Sequence, residues 1–223
     1  MNRALITATL FSLSALVSSH GVTAPVEATV PAIKIHQPGE LVVDANLALQ
    51  YLKEGNERYV KNQGMPRNTN DADRNVLKDG QKPFAVVITC SDSRVAPEVY
   101  FDQKMGDLFV IRNAGNFADT TALGSLEFAV EHLKAPLVVV VGHTQCGAIK
   151  GTMAADAKYS HNLQKVVDTI RPNIKNSKEL PVATKNNVDS NVKIVSDNAV
   201  VKKMGAKVVG ANYDIATGVV DFY

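Results

Sequence analysis

The chain has 223 residues, 45% of them hydrophobic and 21% charged, the balance of an ordinary globular protein of one domain. Its 24 Lys and Arg against 22 Asp and Glu leave a net charge of +2, too little for an electrostatic footprint on nucleic acid or anionic lipid. With two cysteines it is not a disulfide scaffold, and a chain of this length buries roughly 70% of its unfolded surface without one.

Met1-Asn2-Arg3 is a short positive stretch, and residues 4–17 are uncharged and largely apolar, followed by small residues up to Gly21. That is the layout of a secretory signal peptide over residues 1–21, with an apolar run too short for a membrane span of ~20 residues. No cysteine stands near the expected cut for lipid attachment, so an exported, periplasmic or secreted protein with no stable membrane anchor is expected. Residues 22–43, rich in Pro, Ala, Val and Thr without a period, read as a mature N-terminal linker, and residues 44–223 as the functional domain.

Within that domain, Asp44 is positioned to cap a helix over 44–62, with Leu49, Leu52, Tyr59 and Val60 at helical spacing. A polar loop over 64–82 precedes the continuous apolar run of residues 84–89, which suits a strand buried on both faces. A second strand is expected over 107–112, a helix over 121–134 and a third buried strand over 137–141. Helices over 161–175 and 186–203 follow. Strands over 207–211 and 218–223 flank a turn at 214–218. Buried strands alternating with helices predict an α/β fold with a mainly parallel sheet.

Ligands of such sheets bind beyond the carboxyl ends of the strands, where the strand order reverses. The first buried strand runs into Cys90-Ser91-Asp92-Ser93-Arg94, and the third into Gly142-His143-Thr144-Gln145-Cys146-Gly147. If the two strands are neighbours, two thiolates and an imidazole meet at one point. Two sulfurs and one nitrogen suit tetrahedral Zn²⁺, and three protein ligands leave the fourth position open, as in a catalytic site. A Cys90–Cys146 disulfide is the plain alternative in an exported protein, but it gives no reason for Asp92, Arg94 and His143 beside it. Gly142 and Gly147 have the spacing of a phosphate-binding loop, yet Ala148-Ile149 stands where Lys-Ser/Thr is required. A serine nucleophile at Ser91 or Ser93 lacks the Gly-x-Ser-x-Gly elbow.

The two motifs, together with Gly106 to Asn116 and Gly124 to Val130, resemble the signature of the β-class carbonic anhydrases, over nearly the whole expected mature chain. The resemblance implies four parallel strands, an antiparallel edge strand, flanking helices and an extended N-terminal helix. It implies Cys90, His143 and Cys146 as zinc ligands and Asp92 with Arg94 as a catalytic dyad. Gln81, Val95, Phe109 and Gly147 would line the substrate site. Asp92 becomes a further metal ligand in the closed state of some members; Val87 stands where those members carry Trp, and Gln81 matches the accessible branch, so an open site is expected. A homodimer or homotetramer is implied as well.

Zinc lowers the pKa of water from 15.7 to about 7, so hydroxide can attack CO₂ to give bicarbonate near neutral pH. Asp92 would orient that water, and Arg94, as a bidentate fork, would hold the carboxylate ionised. The rival readings are a zinc-binding paralogue without activity and a hydrolase of carbonyl sulfide or carbon disulfide.

Overall fold

The computed structural model describes residues 36–37, 39–66, 70–154 and 156–223, and the expected signal peptide lies outside the described residues. The unit that spans Lys34–Tyr223 is built on a five-stranded sheet in the order β2-β1-β3-β4-β5. The strands are β1 (Ala85–Cys90), β2 (Leu108–Asn113), β3 (Leu137–His143), β4 (Lys207–Tyr213) and β5 (Val220–Phe222). The first four run parallel and β5 pairs antiparallel with β4, as the resemblance implies. Every residue of β1 and β3 is buried, which is why both read as unbroken apolar runs rather than alternating ones.

Successive side chains of β1 and β3 feed two cores on opposite faces. Ala85, Val87, Val139 and Val141 pack with Ala48, Tyr51 and Leu52 of α1 (Ala45–Val60). Val86, Ile88, Val138 and Val140 pack with Leu126 of α4 (Thr120–Glu127), with Ala129 and Val130 of the π-helical turn Phe128–His132, and with Val188 and Val195. Each buried Val, Leu or Ile among them contributes about 1.5–3 kcal/mol by transfer out of water. Val188 and Val195 lie on α7 (Leu180–Asp197), which closes so tightly on β3 that a Cβ at Gly142 would sit 2.6 Å from Val188.

Asp44 caps α1 by accepting a hydrogen bond from the Asn46 N–H, and the inward face runs through Ala48, Tyr51 and Leu52, while Val60 is exposed. The stretch read as a polar loop contains α2 (Asp71–Leu77), started by a capping box in which Asn70 and Asp73 exchange hydrogen bonds. Two further short helices carry no readable period: α3 (Pro97–Tyr100) and α5 (Gly147–Met153). Helix α6 spans His161–Ile170. The single helix expected over 186–203 begins earlier, as α7, and breaks at Asn198, whose extended backbone ends α7 and whose side chain caps α8 (Ala199–Met204).

Part of the stretch read as a linker packs on this body. His36 is buried between Tyr51 and Phe84, and its Nδ1 lies 2.7 Å from Asp107 Oδ1, while Val42 joins the core under α1.

Candidate metal centre

β1 is flanked by β2 on one side and β3 on the other, so its carboxyl end is the point where the strand order reverses. Cys90 is the last residue of β1 and His143 the last of β3. A sharp turn follows through Gln145, which adopts a left-handed backbone (φ 58°), and brings Cys146 in at the head of α5. The two sulfurs and a ring nitrogen of His143 all lie within 4.8 Å of one another, and all three residues are buried.

The histidine tautomer follows from its partner. His143 Nδ1 faces the Thr144 carbonyl at 2.9 Å, and a carbonyl can only accept, so Nδ1 carries the proton. The other nitrogen, Nε2, is then a bare lone pair, buried and without a hydrogen-bond partner among the described residues. A buried acceptor left alone costs about 1–3 kcal/mol. A cation bound between it and the two sulfurs would relieve that cost. Ligands ~2.0–2.3 Å from a tetrahedral zinc stand roughly 3.5–3.8 Å apart, which this cluster permits. The donor set fits the metal.

One of the two thiols is poised to ionise. The S–H of Cys146 is the largest influence drawing the Cys90 thiol down, aided by the Gly115 N–H, which donates to Cys90 Sγ at 3.3 Å, and opposed by burial. The same proximity pushes Cys146 up, with burial adding to it, because two adjacent thiolates repel unless a cation lies between them.

Asp92 stands beside the cluster and outside it. Its Oδ1 accepts hydrogen bonds from the Arg94 N–H at 3.0 Å and from Arg94 Nε at 2.9 Å, and its Oδ2 from Arg94 Nη2 at 2.7 Å. The Arg94 guanidinium holds this carboxyl well below the usual carboxylate range. Both oxygens are thus engaged by Arg94, and the three side chains that converge so that they could hold a metal ion are Cys90, His143 and Cys146. Gly147 opens α5 facing free space.

The other residues expected to line a substrate site are placed as follows. Gln81 is exposed, four residues ahead of β1 and therefore at the opposite end of that strand from Cys90. Phe109 pairs with Val86, four residues or ~13 Å down the sheet from Cys90, and contacts the half-exposed Phe128 with ring centroids 6.4 Å apart. Val95 is fully buried in the core on the α1 face.

Two residues at the site have no assigned role in the sequence reading. Arg112, on edge strand β2, donates to the carbonyls of Cys90 (3.1 Å) and Asp92 (2.7 Å) and so fixes the backbone that carries ligand and dyad. Gly115 supplies the N–H to Cys90. Its φ of 93° favours glycine, and a Cβ there would lie 2.5 Å from Ile170. Both fall in the segment 106–116 that carries the family resemblance, the one signal available for them.

A profile of the carbonic anhydrase family matches residues 85–220, from the first residue of β1 through the start of β5. The chain belongs to the β-class carbonic anhydrase family. It is 50% identical over 110 residues to carbonic anhydrase 2 of Mycobacterium tuberculosis, an overlap of 48% of this chain and 52% of that protein. The chain spans about half the length of the relatives of this kind that it matches. Among solved structures, the β-carbonic anhydrase CcaA superposes with a TM-score of 0.61 at 27% identity over 78% of this chain and 87% of that one. A structure of two tetrameric β-carbonic anhydrases from Sordaria macrospora gives 0.59 at 25% identity, over 79% and 91%. The zinc of this family and the Cys90, His143 and Cys146 cluster of this chain agree.

Proposed function

We propose that this protein catalyses the reversible hydration of CO₂ to bicarbonate and a proton, with zinc held by Cys90, His143 and Cys146. The observation that carries the reading is the convergence of two thiols on the unpartnered Nε2 of His143 at the reversal point of the sheet. When bound, zinc supplies a Lewis acid strong enough to make water a nucleophile near neutral pH.

The chain's own groups do the rest. The Nδ1–H bond to Thr144 fixes the ring of His143 so that Nε2 points inward. Asp92, kept ionised by Arg94, can only accept hydrogen bonds, so it orients an attacking water by its proton. Arg94 spends its Nε and one Nη on that carboxylate, which holds Asp92 in one rotamer. The half-exposed Arg94 and the open space before Gly147 suit a small substrate reaching the site from solvent.

Gln81 and Phe109 can serve the site only from a second copy, since their own chain places them away from Cys90. At least a homodimer therefore belongs to the reading, and the tetrameric Sordaria macrospora enzymes support a larger assembly. Export to the periplasm or beyond rests on residues 1–21 and is tested by N-terminal sequencing of the protein recovered from each cell fraction.

The deciding experiment pairs metal analysis with stopped-flow CO₂ hydration on the purified protein. About one zinc per chain and rapid hydration support the reading. Zinc without turnover would make the protein a binding paralogue. Turnover of carbonyl sulfide or carbon disulfide in preference to CO₂ would reassign the substrate.

A further inference from the structure

The inward face of α7 runs through Thr184, Asn187, Val188, Asn191 and Val195, all buried. Two asparagines on a fully buried helix face are unusual, since an unpaired amide there costs about 1–3 kcal/mol and an apolar side chain would cost nothing. Neither is unpaired. Asn187 Nδ2 donates to the Gly115 carbonyl at 2.9 Å, and its Oδ1 accepts from Asn173 Nδ2 at 3.0 Å and from Asn191 Nδ2 at 3.3 Å. Asn191 Oδ1 accepts from the Ala118 N–H at 2.8 Å. Helix α7 thus suspends the loop after β2 at two backbone points.

That loop ends at the metal centre. It is folded on itself by Asn113, whose side chain bonds both backbone groups of Phe117, and its Gly115 N–H points at Cys90 Sγ. Gly115 is therefore held from both sides, by the amide of Asn187 on its carbonyl and by the thiolate on its N–H.

We propose that Asn187 is a positioning residue for the metal centre, acting through Gly115 to hold an N–H donor on the Cys90 thiolate. This inference rests on the metal reading above. An N–H donated to a metal-bound thiolate withdraws electron density from sulfur, sustains the Lewis acidity of a site that has two thiolates, and fixes the direction of the Sγ lone pairs. Outer contacts of this kind are typically worth 10–100-fold in metal affinity or activity.

The test replaces Asn187 with Leu, of similar size and without the donor, and Asn173 with Ala. Asn173 is half-buried, and its Nδ2 steadies Asn187 without touching the site loop. Zinc affinity is measured by competition with a chromophoric chelator, the sulfur-to-cobalt charge-transfer band is recorded on the cobalt-substituted protein, and the thermal stability of the metal-free protein is taken alongside. For Asn187→Leu the expected result is a metal affinity about 10-fold or more lower and a charge-transfer band at longer wavelength, because a thiolate freed of its N–H gives up an electron more easily. Asn173→Ala should move both in the same direction by less. A folded Asn187→Leu with wild-type affinity and band overturns the inference, as does lowered stability with the band unmoved. If Asn187→Leu fails to fold, a wild-type affinity and band in Asn173→Ala overturns it instead. Wild-type protein that binds no zinc would refute the metal reading itself, a result distinct from all of these.

Discussion

Arg94 grips Asp92 through its backbone N–H, its Nε and its Nη2, and leaves neither carboxylate oxygen free of hydrogen bonding. The pair stands at the rim of the metal cluster, with the arginine half-exposed, so it acts on what enters the site rather than on the fold. Asp92→Asn or Arg94→Ala should therefore lower kcat/KM for CO₂ hydration by about 10–100-fold while zinc content stays near one per chain. Parallel loss of zinc and activity in Asp92→Asn would show that the carboxylate is a ligand in the working state.

Removing a thiolate should have the opposite signature. Cys146→Ser breaks the set of three, so zinc content and hydration should fall together, the rate by more than about 100-fold, beyond what outer contacts alone give. Full zinc and full rate in that variant, read by metal analysis and stopped flow, would remove Cys146 from the ligand set.

Cys90 and Cys146 lie close enough to share a proton when no metal separates them. Removing zinc under air exposes a reactive thiolate to its neighbour. Dioxygen as electron acceptor can then take two electrons and the shared proton from the pair, and a second proton from water, leaving as hydrogen peroxide as the S–S bond forms. Activity lost to a chelator under air should return with zinc plus a thiol reductant and not with zinc alone, and thiols titrated under denaturing conditions should fall from two per chain toward none. Recovery with zinc alone and both thiols intact would mean that the local backbone resists the bond.

His36 makes the attachment of residues 36–43 pH-dependent. Its Nδ1 faces Asp107 at 2.7 Å and its Nε2 faces the Glu40 carbonyl at 3.1 Å, both acceptors, so both contacts are hydrogen bonds only when the ring carries two protons. Burial works to lower its pKa, but the hydrogen bond and charge of Asp107, helped by Glu40, outweigh this and hold it above the ordinary 6.5. A raised folded-state value stabilises fully below about pH 6.5, the unfolded value, and the contribution is lost as pH rises through the folded one. Amide exchange across residues 36–43 should accelerate from pH 6 to pH 9 beyond the intrinsic base dependence. His36→Gln should cost about 1.5–3 kcal/mol of docking at pH 6 and abolish that excess. An unchanged protection profile in the variant would refute the clasp.

What the sequence by itself determined follows from local chemistry. The runs 84–89 and 137–141 are apolar without alternation, which only burial on both faces explains, and that burial placed Cys90 and His143 at strand ends. Asp44 as a cap and Cys146 three residues past His143 were equally readable, since each depends on neighbours a few positions away. The tertiary structure decided what depends on distant partners. Helices α3 and α5 are too short to show a period, and α7 parts from α8 at Asn198, which caps the second helix and also reaches Glu127 across the fold. Arg112 and Gly115 read as ordinary residues of an edge strand and its loop until they are seen on the Cys90 carbonyl and sulfur. Gln81 and Phe109 carry a family pattern that their own chain cannot bring to the metal. Asn187 reads as a polar residue on a surface helix, because 72 positions separate it from the glycine it holds, and only the packing of α7 against the sheet turns it inward.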